Sequence, residues 1–263
     1  MKRWNIKQVL KKVPKLNKPI FVEALPGIGN VGKIVGDFLI EELKAKKFLE
    51  ITSSVFPHSV FVNEENLIDL PVIDLYYKKM KKGSDIIIMT GEIQPINEEG
   101  CYEFCDEIMK IIKKYKCKEV ITTGGIGLRQ THTPPKIYCT GNDQKIVERF
   151  VKKKHKNLQN KIFGVVGPIV GVTGLLLGIA KQGKVPAMSL LSETVAHPLY
   201  VGIKGSREIV KIISAQYDLG IDIKKIDKEI KSLEKQFTAK NKKMLQLQQQ
   251  QAKAEGISQD YIG

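Results

Sequence analysis

Gly27, Gly29, Gly32 and Lys33 are the residues whose types and spacing come nearest to chemistry. They lie in KPIFVEALPGIGNVGKIVGDFLIEELKAKK, residues 18–47, where an apolar run from Ile20 to Leu25 stops at Pro26. The three glycines satisfy G-x-G-x-x-G, the spacing that seats a dinucleotide pyrophosphate at a helix N-terminus. Glu50 stands near the distance expected of a ribose-binding acid. Gly27, Gly32 and Lys33 also fit G-x-x-x-x-G-K, but Ile34 replaces the Ser or Thr hydroxyl that would hold Mg²⁺. No apolar strand ending in Asp supplies the metal's second carboxylate. We read the stretch as a glycine turn that lets a helix pack closely on a strand, with nucleotide binding as the alternative.

Other reactive side chains are scattered. The histidines are His58, His132, His155 and His197, and no G-x-S-x-G or H-E-x-x-H string accompanies them. Glu193 and His197 are spaced i, i+4, but Pro198 speaks against a helix there. Each histidine is read as structural or surface-lying. Glu92 and Glu193 follow expected strands and could reach a common sheet edge. Cys101 and Cys105 share one face of an expected helix, with Cys117 and Cys139 elsewhere. Without a C-x-x-C or paired His, zinc lacks its ligands, and buried, reduced thiols are the reading. No catalytic, cofactor-binding or metal-binding residue is assigned.

The elements that position these residues alternate. Strands are expected at Ile20–Leu25, Phe48–Val55, Asp85–Thr90, Lys118–Thr123, Ile137–Thr140, Ile162–Val166 and Pro186–Leu191. Shorter strands flank a turn at Glu64–Asn66. Residues 1–17 read as a short helix or an edge strand. Helices are expected over 31–43, over Glu99–Tyr115 with Tyr102, Cys105, Ile108, Met109 and Ile112 on one face, from an Asn142 cap to about Lys154, up to Gly183, and over 206–219. Glycine turns are expected after Leu25, Thr123 and Val166. The alternation predicts an α/β fold: a mainly parallel sheet flanked by helices on both faces. Past Gly220, Ile223, Ile226, Ile230, Leu233, Phe237, Met244 and Leu247 follow heptad-like spacing. The expected organisation is an α/β domain over 1–220, a C-terminal helical segment over 221–255 and a flexible tail over 256–263.

The 263 residues include 43 Lys or Arg, and the net charge is +15. Lysines are interleaved with acids along the whole chain, so the charge reads as a solvated surface and nucleic acid is not the expected partner. No uncharged apolar run approaches the roughly 20 residues of a membrane span. The first residues, MKRWNIKQVLKKVPKLNK, lack the apolar centre of a secretory signal. A cytoplasmic location is expected.

Four strings in order, PGIGNVGKIVGDFLIEEL (26–43), TGGIG (123–127), GPIVGVTGLLLG (167–178) and ETVAHPLYVG (193–202), resemble the archaeal branch of the proteasome assembly chaperone family. The resemblance spans roughly residues 18–220. It implies a fold similar to nucleoside phosphorylases without an established catalytic site, a homo-oligomer, and a role in assembling or docking onto the rings of the core proteasome. A nucleotide- or nucleoside-binding enzyme, similar to ATP-grasp proteins or phosphorylases, is the alternative. The resemblance also implies a hydrophobic–Tyr–any tail that inserts between α-type ring subunits. Here the final residues are Asp260-Tyr261-Ile262-Gly263, with Tyr261 third from the end rather than second. Tyr261, Ile262 and Gly263 are therefore the candidate partner-binding residues, an aromatic anchor on a tether.

Overall fold

Uncharged runs such as Ile86–Met89 can be buried on both faces, and they form the centre of the sheet. The structure, a computed structural model, describes residues 3–12, 14–164, 167–195, 201–227 and 230. In chain order the elements are β1 (Trp4–Gln8), β2 (Ile20–Ala24), α1 (Val31–Leu43), β3 (Lys46–Ser53), β4 (Phe61–Val62), β5 (Ile68–Asp69), β6 (Ile73–Lys78), β7 (Ile86–Gly91) and α2 (Glu98–Lys114). They continue with β8 (Glu119–Leu128), β9 (Ile137–Gly141), α3 (Gln144–Lys152), β10 (Leu158–Gln159), α4 (Val172–Gln182), β11 (Ala187–Val195) and α5 (Ile203–Tyr217).

Nine strands form one sheet in the order β1-β3-β6-β7-β2-β8-β11-β9-β10. The expected parallel arrangement is its centre, β7-β2-β8-β11. Outward the pairing turns antiparallel through β6, β3 and β1 on one side and at β9 on the other, with the short β10 parallel to β9. Side chains alternate across the central strands. Phe21, Ile87, Met89 and Val120 share one core with Phe104, Ile108 and Leu176 of α2 and α4. On the opposite face α1 and α5 pack together, and Gly36 brings α1 onto Ala24 and Thr90.

Local chemistry explains the helix ends. Asn97 caps α2 by accepting from the Gly100 N–H at 2.7 Å. Glu98 and Glu99 begin the helix and Lys113 and Lys114 end it, opposing the helix dipole. The α2 seam is Cys101, Phe104, Cys105, Ile108 and Ile112; Tyr102, expected on that face, is exposed because it sits a hundred degrees round from Cys101. Residues 4–8 take the edge-strand option. The Trp4 indole N–H donates to Glu103 at 2.9 Å, and its ring lies against Phe56 and Phe104.

Three expectations are corrected. Gly124, Gly125 and Gly127 do not form a turn after Thr123. They lie inside β8, because β11 continues alongside as far as Val195 and supplies a ladder partner. Asn142 does not cap α3. Asp143 does, accepting from the Lys145 and Ile146 N–H groups. Asn142 instead ties three segments together: its amide donates to Leu177 O and Val185 O, and its carbonyl accepts from the Ala187 N–H. The strand expected at Ile162–Val166 is replaced by β10 four residues earlier, where Leu158 and Gln159 pair with Ile137 and Tyr138; residues 165–166 lie outside the described residues.

Contacts divide the chain into Met1–Asp222 and Ile223–Gly263. Of the second unit, residues 223–227 are helical, and all beyond Ile230 lies outside the described residues, including most of the expected helical segment and the whole tail.

The reassigned cap makes a contrast. Asn142→Ala strands a buried N–H and two carbonyls and should lower unfolding stability by about 1–3 kcal/mol. Asp143→Ala removes only a cap and should lower it by about 1 kcal/mol. Urea denaturation of both variants measures the difference.

Candidate functional site

Open parallel sheets bind ligands outside the carboxyl ends of their strands, and the motif glycines lie there, between β2 and α1. Ile28–Asn30 form one 3₁₀ turn with left-handed backbone at Gly29 (φ 63°) and Asn30 (φ 51°), a conformation that glycine adopts freely and asparagine tolerates. The turn is strapped on both sides. Gly202 N–H donates to Gly29 O at 2.8 Å, and the Ser206 hydroxyl lies within hydrogen-bonding distance of Val31 O and Gly202 O. The Gln94 amide donates to Pro26 O at 2.9 Å and accepts from the Val172 N–H at the start of α4.

The space beside Gly29, Gly32 and Gly125 is filled by protein, while that beside Gly27 is open. A β-carbon at Gly32 would sit 2.5 Å from Leu25 O and 2.7 Å from Thr123 O. One at Gly125 would meet Ile28 O at 2.2 Å, and one at Gly29 would meet the Thr194 hydroxyl at 2.5 Å. β2 pairs with β8 only as far as Thr122, so the remainder of β8 is free to receive the turn. Lys33 faces carboxylates: its ammonium lies 2.7 Å from Asp37 and 3.0 Å from Glu92. Partial burial alone would lower its pKa, but the hydrogen bonds and charges of Asp37 and Glu92 win and raise it. Glu50 lies on β3, separated from β2 by β6 and β7, and pairs with Lys47 at 2.7 Å. A ribose-binding acid belongs on the strand beside the glycine turn, so the dinucleotide reading loses its acid.

Glu193 and Glu92, expected at a common edge, take different partners. The Glu193 carboxylate is buried at the end of β11 and accepts from the His132 and Lys136 N–H groups at 3.1 Å, from the Tyr138 hydroxyl at 3.3 Å and from His132 Nδ1 at 2.9 Å. Burial pushes its pKa up, but these donors outweigh burial and hold it below the ordinary value. The arrangement anchors the loop between β8 and β9 and orients the His132 imidazole. A carboxylate-held imidazole is half of a nucleophile-activating constellation, the other half being a hydroxyl or thiol in its reach. His58 lines a surface groove, His155 is shifted down by burial, and His197 lies outside the described residues. Cys101, Cys105 and Cys139 are buried free thiols and Cys117 is half-buried. Among the described residues no group of three or more His, Cys, Asp or Glu is placed to hold a metal ion. Tyr261, Ile262 and Gly263 lie outside the described residues.

One titratable group escaped the sequence reading. Glu23 points into the α2–α4 core from the last turn of β2, where its carboxyl accepts from the Leu25 N–H at 3.1 Å. Complete burial raises its pKa to about 7, against the lowering effect of hydrogen bonds from Leu25 and Thr173. The signal was present: an acid in the middle of the continuous apolar run Ile20–Leu25.

Fold and site together define an α/β protein in which Gly29, Gly32 and Gly125 are packed against the chain's own backbone and Thr194. The chain belongs to the PAC2 family, whose model matches residues 21–239. Over 92% of this chain and 100% of the other, it is similar to Pyrococcus furiosus PbaB, an archaeal proteasome activator, with a TM-score of 0.82 and 30% identity. It has the fold of Pyrococcus furiosus PbaA, an archaeal homolog of proteasome-assembly chaperone, with a TM-score of 0.71, 21% identity and coverage of 95% and 97%. The uncharacterized protein MJ1210 of Methanocaldococcus jannaschii is 27% identical over 98% of this chain and 97% of its own length. The resemblance carried by the four strings is thereby borne out.

Two outcomes test the packing account. Gly32→Ala should destabilise the fold by about 1–3 kcal/mol, because backbone atoms must move. Gly27→Ala, with nothing within 4 Å of the new methyl, should change stability by no more than about 0.5 kcal/mol in urea denaturation.

Glu23 makes stability depend on pH. Its folded pKa of about 7 stands above the ordinary 4.5, so the folded state holds the proton more tightly than the unfolded chain. The stability this provides is complete below pH 4.5 and is lost as pH rises through 7. Glu23→Gln removes the dependence. The variant should gain in Tm relative to the natural chain at pH 8, with the gain shrinking toward pH 5, as calorimetry at the two pH values would show.

Proposed function

We propose that the chain is a non-enzymatic proteasome assembly chaperone, working in the cytoplasm as a homo-oligomer and acting on α-type subunits of the core particle. The observation that carries this reading is the 30% identity to an archaeal proteasome activator across the whole of that protein's chain. Two features of the site support it. The turn that spells a nucleotide motif is occupied by Thr194, Ile28 O and the β8 backbone, and Lys33 is engaged by Asp37 and Glu92. The free thiols of Cys101, Cys105, Cys117 and Cys139 suit a reducing compartment.

Tyr261, Ile262 and Gly263 are the residues we assign to capture of the ring. An aromatic anchor among near-neutral neighbours is the usual composition of a contact that dominates affinity. Tyr261 one place from the family position makes the tail a variant of that mode rather than a copy of it.

Pull-down of purified core-particle α subunits by the full chain, and by a truncation after Glu255, tests the reading. The full chain should retain α subunits and the truncation should retain less. Tyr261→Ala should weaken capture by about ten-fold or more. Failure of both full chain and truncation to bind would reject the proteasome reading; equal binding by full chain and Tyr261→Ala would remove the tail from it.

A further inference from the structure

Lysines that alternate with acids along the chain are sorted by the fold. One lateral row crosses six strands of the sheet: Lys46 pairs with Tyr77, Tyr77 with Ile87, Ile87 with Phe21, Phe21 with Val120 and Val120 with Ala187. The row marks the edge at which β7, β2, β8 and β11 begin. Along that edge run five segments that carry lysine and no Asp or Glu. Residues 11–18 ahead of β2 hold four exposed lysines, residues 44–46 at the start of β3 two, and residues 79–82 ahead of β7 three. Residues 113–118 ahead of β8 hold four more, and residues 181–184 ahead of β11 two. None of these lysines has an ion-pair partner among the described residues, whereas Lys33, Lys47, Lys110 and Lys211 each have one.

The edge is built to present them. Asp85 and Glu119, the acids that stand where β7 and β8 start, are buried. Asp85 accepts from the Asn17 N–H at 2.7 Å and the Met80 N–H at 2.8 Å, and Glu119 pairs with Arg149. The Asn17 amide donates to Gly83 O and the Lys118 N–H to Pro19 O, so neighbouring segments are knitted into one rim. Three helices, α1, α2 and α4, end here. Lys44, Lys116 and Lys184 behind them take left-handed backbone (φ 50–56°), a position that glycine fills at less cost. A helix dipole favours cations at its C-terminus, but residues 11–18 and 79–82 follow no helix and are as basic. The opposite edge differs. Residues 25–30, 92–97 and 129–136, beyond β2, β7 and β8, hold Glu92, Arg129 and Lys136 as their only Asp, Glu, Arg or Lys.

We propose that this basic rim is a docking surface for duplex DNA, held by its phosphate backbone without regard to sequence. Every cation of the five segments is a lysine. Ammonium point charges neutralise phosphates and release counterions, but lack the planar fork with which arginine reads a guanine edge. Protein interfaces are depleted of lysine and anchored by aromatic and apolar side chains. None of the exposed large apolar side chains among the described residues lies in these segments. Single strands are held by stacking on exposed rings. The one ring of the five segments, Tyr115, is half-buried with its centroid 5.4 Å from that of Phe48. Six neighbouring strands make a rim about 24 Å long, roughly seven base pairs of duplex. A knitted row of fixed charges suits a polyanion that is itself stiff. The inference uses neither the tail nor the α subunits and stands apart from the proteasome reading.

Fluorescence anisotropy of a labelled duplex of about 20 base pairs and arbitrary sequence tests it, titrated with the full chain between about 50 and 200 mM salt. Two triple variants of equal net charge are compared. One carries Lys79→Gln, Lys81→Gln and Lys82→Gln on the rim; the other carries Lys152→Gln, Lys156→Gln and Lys161→Gln around β10. All six side chains are exposed, so both variants should fold, as thermal melts by circular dichroism would confirm. The natural chain should bind with a log–log salt slope of about −4 or steeper. The rim variant should lose about ten-fold or more in affinity, its slope flattening by roughly two to three, while the β10 variant stays within about two-fold of the natural chain. No binding of duplex by the natural chain at the lowest salt would overturn the inference. Equal losses in the two variants would overturn it in favour of net charge without a site. Tighter binding of a single strand of the same length would overturn the duplex as occupant. A rim variant that binds duplex as the natural chain does but no longer captures α subunits would overturn it in favour of an acidic protein surface.

Discussion

The first turn of α1 lies so close to β2 and β8 that no side chain fits at Gly32, and the rest of the carboxyl edge is arranged to permit that approach. β8 outruns its pairing with β2 so that the turn has a floor, and Gly125 leaves that floor bare under the Ile28 carbonyl. Thr194 at the end of β11 closes the side, and the start of α5 is tied to the turn through Gly202 and Ser206. In many α/β proteins the corresponding gap is the binding cleft. Here the same glycine spacing produces contact between backbones, a second use of an absent β-carbon. The motif and the cleft are thus separable: the first is a statement about backbone clearance, and only the neighbours decide what enters.

Glu23 and Glu193 show two fates of a buried carboxyl at the ends of β2 and β11, the two strands that flank β8. Glu193 has four donors turned toward it, and they hold its pKa below the ordinary value; Glu23 has fewer, and burial raises its pKa to about 7. Glu193 pins the loop that carries His132, and Glu23 sits in the layer beneath α2 and α4. Lys33, Asp37, Glu92 and Glu193 of this edge are engaged with one another or with the protein's own loops.

What the residues disclosed follows from the range of the forces involved. Ile20–Leu25 and Ile86–Met89 announce buried strands because burial on two faces demands an uninterrupted run, and the α2 seam follows from local helical spacing. The extension of β8 through Gly124 and Gly125 was hidden, since glycine disfavours strand locally and only β11, some sixty residues later, overrides it. Asn142 looked like a cap because its neighbour Asp143 is one; its bonds reach Leu177 and Ala187, out of sight of any local rule. His132 and Glu193 were each noticed, but their pairing depends on β8 and β11 lying side by side. Glu50 was placed by counting residues, whereas the order of strands put two others between it and the turn.

The outermost strands carry a further consequence. β10 is two residues long and stands between Lys154, Lys156 and Lys161, while β1 is five residues long, bears Lys7, and is drawn inward by Trp4 onto α2. Short, cation-bearing rims offer a poor template for adding a foreign strand. Edge-to-edge growth of the main sheet into cross-β polymer is thereby disfavoured at both of its described rims.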